Sequence, residues 1–414
     1  MTRSTPTPIT CTLPAKPFRV ALVSDLIEEK WPSMELVSDM LLENLELQHS
    51  SEFVATRLRP HMQRRFSCIP VSKAGPFFNN VDRFINRFVD YPFWLQRQMA
   101  GFDLFHVIDH SYAQLVRTLR AKPTIVTCHD LDTFGCILNR EQQRSPRWFR
   151  AMTERILDGF RQADHVIAVS AATRNEILRH GLFSPHQVSV VHNGVHPSCS
   201  PEPVPAADAE ADRLFPDLRG ARWLLNVGST MPRKRLDVLL QVFAAVRRKL
   251  PGIRLLRVGG PMTPAQQQLA RDLEVENEIV EAPPLTRDVL AAVYRRADLL
   301  LHTAEAEGFG LPLIEAMACG CPVVATDLPV LREIGGAEVA YCSLMDFDAW
   351  TQTIADLLIE RVQQNGAREL RRKRAIAHAA RFSWPENARR TAQIYREVLL
   401  SEKLASPLTA GYSV

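Results

Sequence analysis

The chain has 414 residues, of which 46% are hydrophobic and 23% are charged, proportions that exclude a disordered or fibrous protein. At about 150 residues per domain, this length predicts two or three domains. The 50 Lys and Arg residues against 46 Asp and Glu residues leave a net charge of +4, which is too small to indicate a nucleic-acid partner.

The first 17 residues are rich in Thr and Pro and lack the apolar stretch of a signal peptide, so we predict a disordered lead at 1–17. No stretch of the chain reaches the roughly 18–20 apolar residues of a membrane-spanning helix. The eight cysteines are scattered without a CxxC pair, a pattern typical of reduced structural thiols. Together these features predict a cytoplasmic protein.

The first half of the chain alternates strand-like and helical patterns. Apolar runs of strand type fall at 18–24, 104–108, 123–127, 166–169 and 188–191. Helical spacing of apolar residues lies between several of them, beginning with the segment 34–45. This alternation predicts a Rossmann-like, doubly wound domain over residues 18–200.

A change in composition follows this domain. Five prolines fall within residues 196–220, together with a run of Ala, Asp and Glu. Because prolines at this density disfavour helix and central strand, we predict an irregular interdomain linker, placed at 201–220.

The alternation then resumes and predicts a second Rossmann-like domain over 221–385. Its strands are predicted at 223–227, 254–258, 298–301 and 322–325, and its helices at 236–249, 264–273, 287–296 and 312–319. A last helix at 386–403 and a tail at 404–414 complete the chain. The fold class is therefore α/β, with two doubly wound domains facing a central cleft where the carboxyl ends of both sets of strands meet.

The most informative stretch begins at Leu301, the predicted end of a strand, and contains the motif Glu307-Gly-Phe-Gly-Leu-Pro-Leu-Ile-Glu315. Its glycines allow a tight turn, and Pro312 suits the first turn of a helix. The free amides at the start of that helix favour an anion such as phosphate. Glu307 and Glu315 are good acceptors for sugar hydroxyls; the alternative is a surface turn followed by a carboxylate that stabilises the helix dipole.

A second motif, Asn226 to Asp237, contains three adjacent cations at positions 233–235 where a helix is predicted to begin. Cations at a helix N-terminus oppose its dipole, and a bound diphosphate would offset that cost. Taken alone, the segment is better described as a solvated basic turn.

In the first domain, His129 and Asp130 lie just past the end of the 123–127 strand, where catalytic groups often lie. His106 and His110 flank a neighbouring strand end, so a metal site built from three histidines is an alternative. Ser170 is predicted to cap the following helix rather than to act in catalysis.

The segment 53–100 contains eight Lys and Arg residues against Asp82 and Asp90, a local charge of +6. Phe77, Phe84 and Phe88 recur at helical spacing within it. Such a segment suits a basic amphipathic helix lying on an anionic membrane, here the inner face of the cytoplasmic membrane. The alternative is a helix packed on its own domain with an exposed basic face.

The spacing Glu307 to Glu315 resembles the E-x7-E motif of retaining glycosyltransferases with the GT-B fold, particularly family 4. Further similar segments occur in the same order along the chain: Thr-Cys-His-Asp-Leu at 127–131, Ala-Val-Ser-Ala-Ala-Thr-Arg at 168–174, Val-His-Asn-Gly-Val at 191–195 and the loop from Val227 to Lys234. The resemblance extends over about residues 18–400 and is strongest over 223–330.

This resemblance implies roles for individual residues. Lys234 would bind the donor diphosphate, Glu307 would hold hydroxyls of the donor sugar, and Glu315 would bind the ribose. His129 would lie near the transferred sugar, and Lys234, His129 and Glu307 are the expected catalytic residues. The backbone of Phe309, Gly310 and Leu311 would contact sugar and phosphates.

Two departures from the family pattern affect these assignments. The family often has an arginine directly after the glycine that matches Gly228, whereas this chain has Ser229, which leaves Arg233 as the candidate second cation. The first βα loop, residues 25–34, also lacks the usual Gly-Gly pair of the family.

The resemblance implies a hexosyltransferase that moves a mannose- or glucose-type sugar from a nucleoside-diphosphate sugar to a carbohydrate or lipid-linked acceptor. Polysaccharide biosynthesis would be its setting, and no metal ion or other cofactor is expected because protein cations would stabilise the leaving diphosphate. A GT-B sugar-nucleotide epimerase and a non-catalytic sugar-nucleotide-binding protein are the alternatives. A dinucleotide-dependent oxidoreductase is disfavoured because no G-x-G-x-x-G follows a strand.

Overall fold

A computed structural model describes residues 16–67, 75–139, 145–362 and 366–405. The predicted lead up to residue 15 and the predicted tail from residue 406 lie outside these ranges, as do Cys11, Cys68 and Lys73. The six cysteines in the described ranges are all free thiols.

The first lobe is built on a six-stranded parallel sheet with the strand order β2-β1-β3-β4-β5-β6. Its strands are β1 Phe18–Val23, β2 Phe53–Leu58, β3 Leu104–Val107, β4 Thr124–Cys128, β5 His165–Ala168 and β6 Val188–Val190. Five of the six coincide with predicted strands. The exception is β2, an edge strand in which buried Phe53 and Ala55 alternate with exposed Val54 and Thr56, inside the segment interpreted as basic and helical.

Helices cover both faces of this sheet. They are α1 Pro32–His49, α2 Gly75–Ile85, α3 Tyr91–Gln98, α4 Gly135–Leu138, α5 Arg147–Phe160 and α6 Ala171–Arg179. A π-helical turn, Asn86–Asp90, joins α2 to α3. Short 3-10 segments are Ile27–Glu29, Met99–Gly101, His110–Thr118, Asp132–Phe134 and Pro185–Gln187.

The second lobe repeats the architecture with the strand order β12-β11-β10-β7-β8-β9. Its strands are β7 Trp223–Val227, β8 Arg254–Val258, β9 Ile279–Glu281, β10 Leu299–His302, β11 Val323–Thr326 and β12 Ala340–Cys342. The helices from the hinge onward are α7 Pro205–Leu214, α8 Leu236–Lys249, α9 Pro264–Asp272, α10 Arg287–Arg296, α11 Leu311–Ala318, α12 Pro329–Gly335, α13 Phe347–Val362, α14 Ala367–Ala379 and α15 Trp384–Ala405. Further 3-10 turns are Pro216–Leu218, Pro232–Lys234, Glu276–Glu278 and Gly336–Glu338.

The prediction that prolines exclude a helix from the 201–220 linker is wrong, because α7 occupies ten residues of it. Pro205 stands in the first turn, where its missing N–H costs no hydrogen bond, and the Ala, Asp and Glu that follow are compatible with helix. Asp208 on α7 accepts from Arg296 on α10 at 2.9 Å, which fixes α7 to the second lobe.

The last helix returns the chain to the first lobe. Helix α15 packs along α1, and Trp384, Ala388 and Tyr395 join the apolar core on one face of the first sheet. The hydroxyl of Tyr395 lies 2.7 Å from Nδ1 of His106 on β3. The two lobes are therefore held together at the hinge side, and the carboxyl ends of both sheets face each other across a cleft. Among the described residues, no helix is long and apolar enough to cross a membrane.

Candidate functional site

The Glu307 to Glu315 motif forms the loop between β10 and α11 in the second lobe. Gly310 precedes the helix with a φ of +93°, a backbone conformation that glycine adopts without strain. It contributes no side chain that could cap the first-turn amides. The helix therefore begins with an uncapped, positively polarised end directed at the loop, the arrangement that favours a bound anion.

Glu307 stands at the centre of a buried charge cluster. Its Oε2 lies 2.5 Å from Lys234 Nζ and 3.2 Å from His302 Nε2, so one carboxylate oxygen contacts both groups. Burial favours the protonated form, but Lys234 and His302 outweigh it and hold the pKa of Glu307 well below its ordinary range. Glu307 is thus an ionised carboxylate with its second oxygen available as an acceptor.

Glu315, one turn into α11, has a different environment. Its Oε2 accepts from the Tyr294 hydroxyl at 3.0 Å, and its residue is only 8% exposed. Burial raises the pKa of Glu315 to about 7, and the hydrogen bond from Tyr294 opposes this shift. The two carboxylates of the motif therefore differ in charge state near neutrality.

Each of the three adjacent cations has a carboxylate neighbour, so the segment is not a solvated basic turn. Lys234 contacts Glu307, as described above. Arg235, with a φ of +47°, pairs with Asp237 and Glu305, each at 2.8 Å. These carboxylates offset the cost of cations at the start of α8.

Arg233 extends across the cleft to the first lobe. Its guanidinium lies 3.7 Å from Asp130 and 3.5 Å from Asp132, and it donates to the Ala306 carbonyl at 3.2 Å. Arg233 therefore reaches the boundary between the two lobes, close to the loop that carries Glu307.

His129 lies directly opposite the second-lobe loop. An alanine Cβ at Gly308 would lie 1.8 Å from the His129 carbonyl oxygen, so the lobes touch at this point and only glycine fits there. The His129 Nε2 is 2.9 Å from the Ile108 carbonyl and therefore carries the proton that it donates. Burial lowers the pKa of His129, partly opposed by Asp109, so the ring is neutral.

The other predicted features of the first lobe have structural partners. Both ring nitrogens of His106 are hydrogen-bonded in the core, to Tyr395 and Thr127, so neither is available to a metal ion. Burial lowers the pKa of His106 to about 3. No group of His, Cys, Asp or Glu side chains suited to a metal ion occurs in the part of the chain that the structure describes. Ser170 caps α6 by accepting from Thr173 N at 3.0 Å, which confirms the prediction for this residue.

Sequence reasoning missed two residues that matter in this cleft. His302 is the last residue of β10 and could have been noticed because it directly follows the predicted strand 298–301. Glu333 on α12 could not, since its partners lie in the other lobe: it accepts from the Ala171 and Ala172 amides at 2.7 and 3.0 Å and lies 2.7 Å from His192. Glu333 thus links the second lobe to the first turn of α6.

Four of the eight cations in the basic segment 53–100 lie beside carboxylates. Arg83 and Arg87 lie 3.3 and 3.7 Å from Glu29, which belongs to the glycine-free loop 25–34. Arg57 and Arg65 pair with Asp39 and Asp90, each at 2.6 Å. The loop therefore anchors α2 to the first lobe.

The exposed part of this segment includes aromatic side chains as well as cations. Phe77 and Phe84 on α2 are 66% and 48% exposed, and Phe93 on α3 is 64% exposed. The segment thus presents both aromatic side chains and cations such as Arg64 and Arg97 to its surroundings.

Two doubly wound lobes, a glycine turn leading into an uncapped helix, and buried cations around a central cleft define a GT-B architecture. The family models agree with it: "Glycosyltransferase Family 4" matches residues 35–198 and "Glycosyl transferases group 1" matches residues 217–377. The chain belongs to the group 1 glycosyltransferases of the GT-B fold.

Relatives by sequence include a D-inositol 3-phosphate glycosyltransferase of Mycobacteroides abscessus, 32% identical over 285 residues that cover 66% of this chain and 60% of that protein. The protein of the same name from Thermobispora bispora is 33% identical over 57% of this chain and 56% of its own length. The chain thus matches less than two thirds of the length of these curated relatives.

Solved structures share the fold at lower identity. Sucrose-phosphate synthase from Thermosynechococcus elongatus superposes with a TM-score of 0.68 at 21% identity, covering 93% of this chain and all of that one. HepE from Anabaena, solved in complex with UDP-glucose, has a TM-score of 0.68 at 16% identity and covers 92% of this chain and all of its own. At these identities the similarity shows a shared fold and nothing further.

Proposed function

We propose that this protein is a retaining hexosyltransferase that moves a mannose- or glucose-type sugar from a nucleoside-diphosphate sugar to a carbohydrate or lipid-linked acceptor. The observation that carries the proposal is the Lys234–Glu307–His302 cluster beside the start of α11. It joins a cation suited to a phosphate with an ionised carboxylate suited to sugar hydroxyls. The glycosyltransferase names of the relatives and the UDP-glucose in the HepE complex support a nucleotide-sugar donor.

The difficult step in such a transfer is the departure of the diphosphate. Lys234, Arg233 and the N-terminal end of α11 would stabilise the charge that develops on it, and one preorganised donor of this kind contributes about 3 kcal/mol. Glu307 would hold the donor sugar through its unshared carboxylate oxygen. Because protein groups supply these interactions, we propose that the reaction needs no metal ion.

The acceptor hydroxyl would approach from the first lobe, on the side of His129. The neutral ring of His129 donates to a backbone carbonyl and so has a fixed orientation at the cleft surface. We infer a same-face displacement, in which the acceptor attacks from the side that the diphosphate leaves. Lys234 and His302 both hold Oε2 of Glu307, and in this proposal the other oxygen binds hydroxyls of the donor sugar rather than acting as a covalent nucleophile.

The proposal is tested with UDP-, GDP- and ADP-linked hexoses, by measuring release of the nucleoside diphosphate with and without a panel of glycan acceptors. We expect Lys234→Ala and Glu307→Gln to lower the rate at least about 100-fold. Lys249→Ala is the matched control, because Lys249 lies at the opposite end of α8 and donates to Gln352. Wild-type protein that binds no donor, or variants with full activity, would disprove the site.

The products discriminate between the alternatives. A transferase yields a glycosylated acceptor with the anomeric configuration of the donor, whereas an epimerase converts the donor sugar without any acceptor. Donor binding without either product would identify a non-catalytic sugar-nucleotide-binding protein.

We further propose that residues 53–100 contact the surface of the inner membrane when the acceptor is lipid-linked. The exposed aromatic side chains Phe77, Phe84 and Phe93 support this, since such rings insert at a membrane interface. Sedimentation with vesicles containing anionic lipid should fall for Phe84→Ser/Phe93→Ser and remain unchanged for Trp148→Ser, an exposed aromatic of α5 outside the segment. Equal binding by wild type and the double variant would refute the contact.

A further inference from the structure

Arg257 is a buried charge for which sequence analysis gave no role. It lies on β8, and its side chain is 0% exposed. A guanidinium removed from water in this way is costly unless it is paired and hydrogen-bonded. Its contacts therefore indicate what the residue is for.

Those contacts lie in the loops after β7 and β8 and at the last residue of β9. The guanidinium donates to the carbonyls of Gly228, at 3.2 Å, and Gly260. Its Nε lies 3.7 Å from a carboxylate oxygen of Glu281, and the same oxygen accepts from Met262 N at 2.7 Å. Arg257 thus contacts the turn at Gly228 that precedes Lys234, the loop after β8 and the end of β9.

The turns held by Arg257 are in direct contact. Gly259 has a φ of +134°, and a Cβ on it would lie 2.0 Å from the Gly228 carbonyl oxygen. The Gly228 N–H also donates to the Val258 carbonyl at 2.8 Å. Gly228 is therefore fixed from both sides, and the orientation of its peptide group is set by the arginine beneath it.

The orientation of that peptide has a chemical consequence. The peptide between Gly228 and Ser229 is trans, so the Ser229 N–H points away from the guanidinium that binds the Gly228 carbonyl. Among the described residues, the Ser229 N–H donates to no acceptor, although the residue is half-buried. An unpaired amide of this kind beside Lys234 is suited to a phosphate oxygen.

We propose that Arg257 is a positioning residue for the donor diphosphate: it orients the turn at Gly228 so that the Ser229 amide, rather than a side-chain cation at position 229, binds a phosphate oxygen. The inference rests on the proposed nucleotide-sugar donor and extends it to a residue that never touches the ligand. Glu281 completes the arrangement by fixing the adjacent loop.

The test is calorimetric binding of UDP, GDP and ADP, and of the corresponding nucleosides, to the full chain. For the diphosphate that wild type binds, Arg257→Gln should weaken affinity about ten-fold or more, while nucleoside affinity changes less than about two-fold. Arg257→Lys should recover part of the loss, since it keeps the charge without the two-pronged contact. Glu281→Gln should weaken the affinity for the diphosphate by about two- to five-fold.

Arg254→Gln serves as the matched control, because Arg254 lies at the other end of β8, 3.8 Å from Asp217, and should leave both affinities unchanged. Equal weakening of diphosphate and nucleoside would show a general structural role and overturn the inference. The inference would also be overturned if the single variants Arg257→Lys and Glu281→Gln both bind the diphosphate as tightly as wild type does. This holds even if Arg257→Gln does not fold. Wild-type protein that binds none of the diphosphates would overturn the proposed donor and this inference with it.

Discussion

Replacing Lys234 by methionine should lower both stability and activity. Stability should fall because Glu307 loses its ion-pair partner, and activity should fall because the donor diphosphate loses a cation. In the native protein, the Lys234 and Glu307 side chains are 15% and 11% exposed, and their charged atoms are 2.5 Å apart. Without Lys234, Glu307 would remain a buried carboxylate with His302 as its remaining partner. Removing one member of a buried pair costs about 3–5 kcal/mol; because this pair borders a cleft, we expect about 2–3 kcal/mol.

For a lobe of this size, that loss corresponds to a decrease in Tm of about 4–12 °C. Donor turnover should fall about 100-fold or more, because we propose that this cation faces the leaving diphosphate. The two effects can be separated with Lys234→Met/Glu307→Gln, which removes both charges at nearly constant volume. We expect the double variant to regain most of the lost stability and none of the lost activity.

Differential scanning calorimetry and a nucleoside-diphosphate release assay on the two variants measure both quantities, with Lys249→Ala as the control. A double variant as unstable as Lys234→Met would show that the unpaired carboxylate is not the source of the instability. A double variant with restored turnover would show that the charge of Lys234 is not needed for the reaction.

Three further changes probe the cleft. Because the pKa of Glu315 is raised to about 7, its carboxyl group is ionised mainly above that pH. Since we expect the carboxylate to bind the donor ribose, donor affinity measured by calorimetry should fall about ten-fold from pH 8 to pH 6, and Glu315→Gln should abolish this dependence. Gly308→Ala places a Cβ against His129 and should lower turnover at least about ten-fold without lowering Tm by more than a few degrees. Gly101→Ala is the control, because its Cβ would lie 3.7 Å from the nearest atom, and it should change neither turnover nor Tm. Glu333→Ala should speed hydrogen exchange in the first turn of α6 and cost about 1 kcal/mol; unchanged exchange there would contradict the cross-lobe cap.

The sequence alone determined most of the framework. Strands of parallel sheets are short, continuous apolar runs, so nine of the twelve strands could be located from their residues, and the helices α8 and α10 coincide with their predicted bounds. The missed strands β2, β9 and β12 lie at sheet edges, where burial is partial and the apolar pattern is weaker. The Glu307 to Glu315 motif was also evident, because glycine, proline and carboxylates serve backbone geometry and chemistry that can be inferred from residue type.

The amino-acid composition does not show how the charges are distributed. A net charge of +4 is compatible with a free basic surface, yet Arg83, Arg87 and Arg233 all face carboxylates that lie far away in the sequence. The roles of Glu333 and Arg257 likewise depend on partners from another lobe or another loop. Such pairings are set by how strands and lobes meet in space, and local patterns contain no information about them. The sequence therefore predicted the class of ligand for the cleft, and only the tertiary structure decided which side chains hold the cleft in shape.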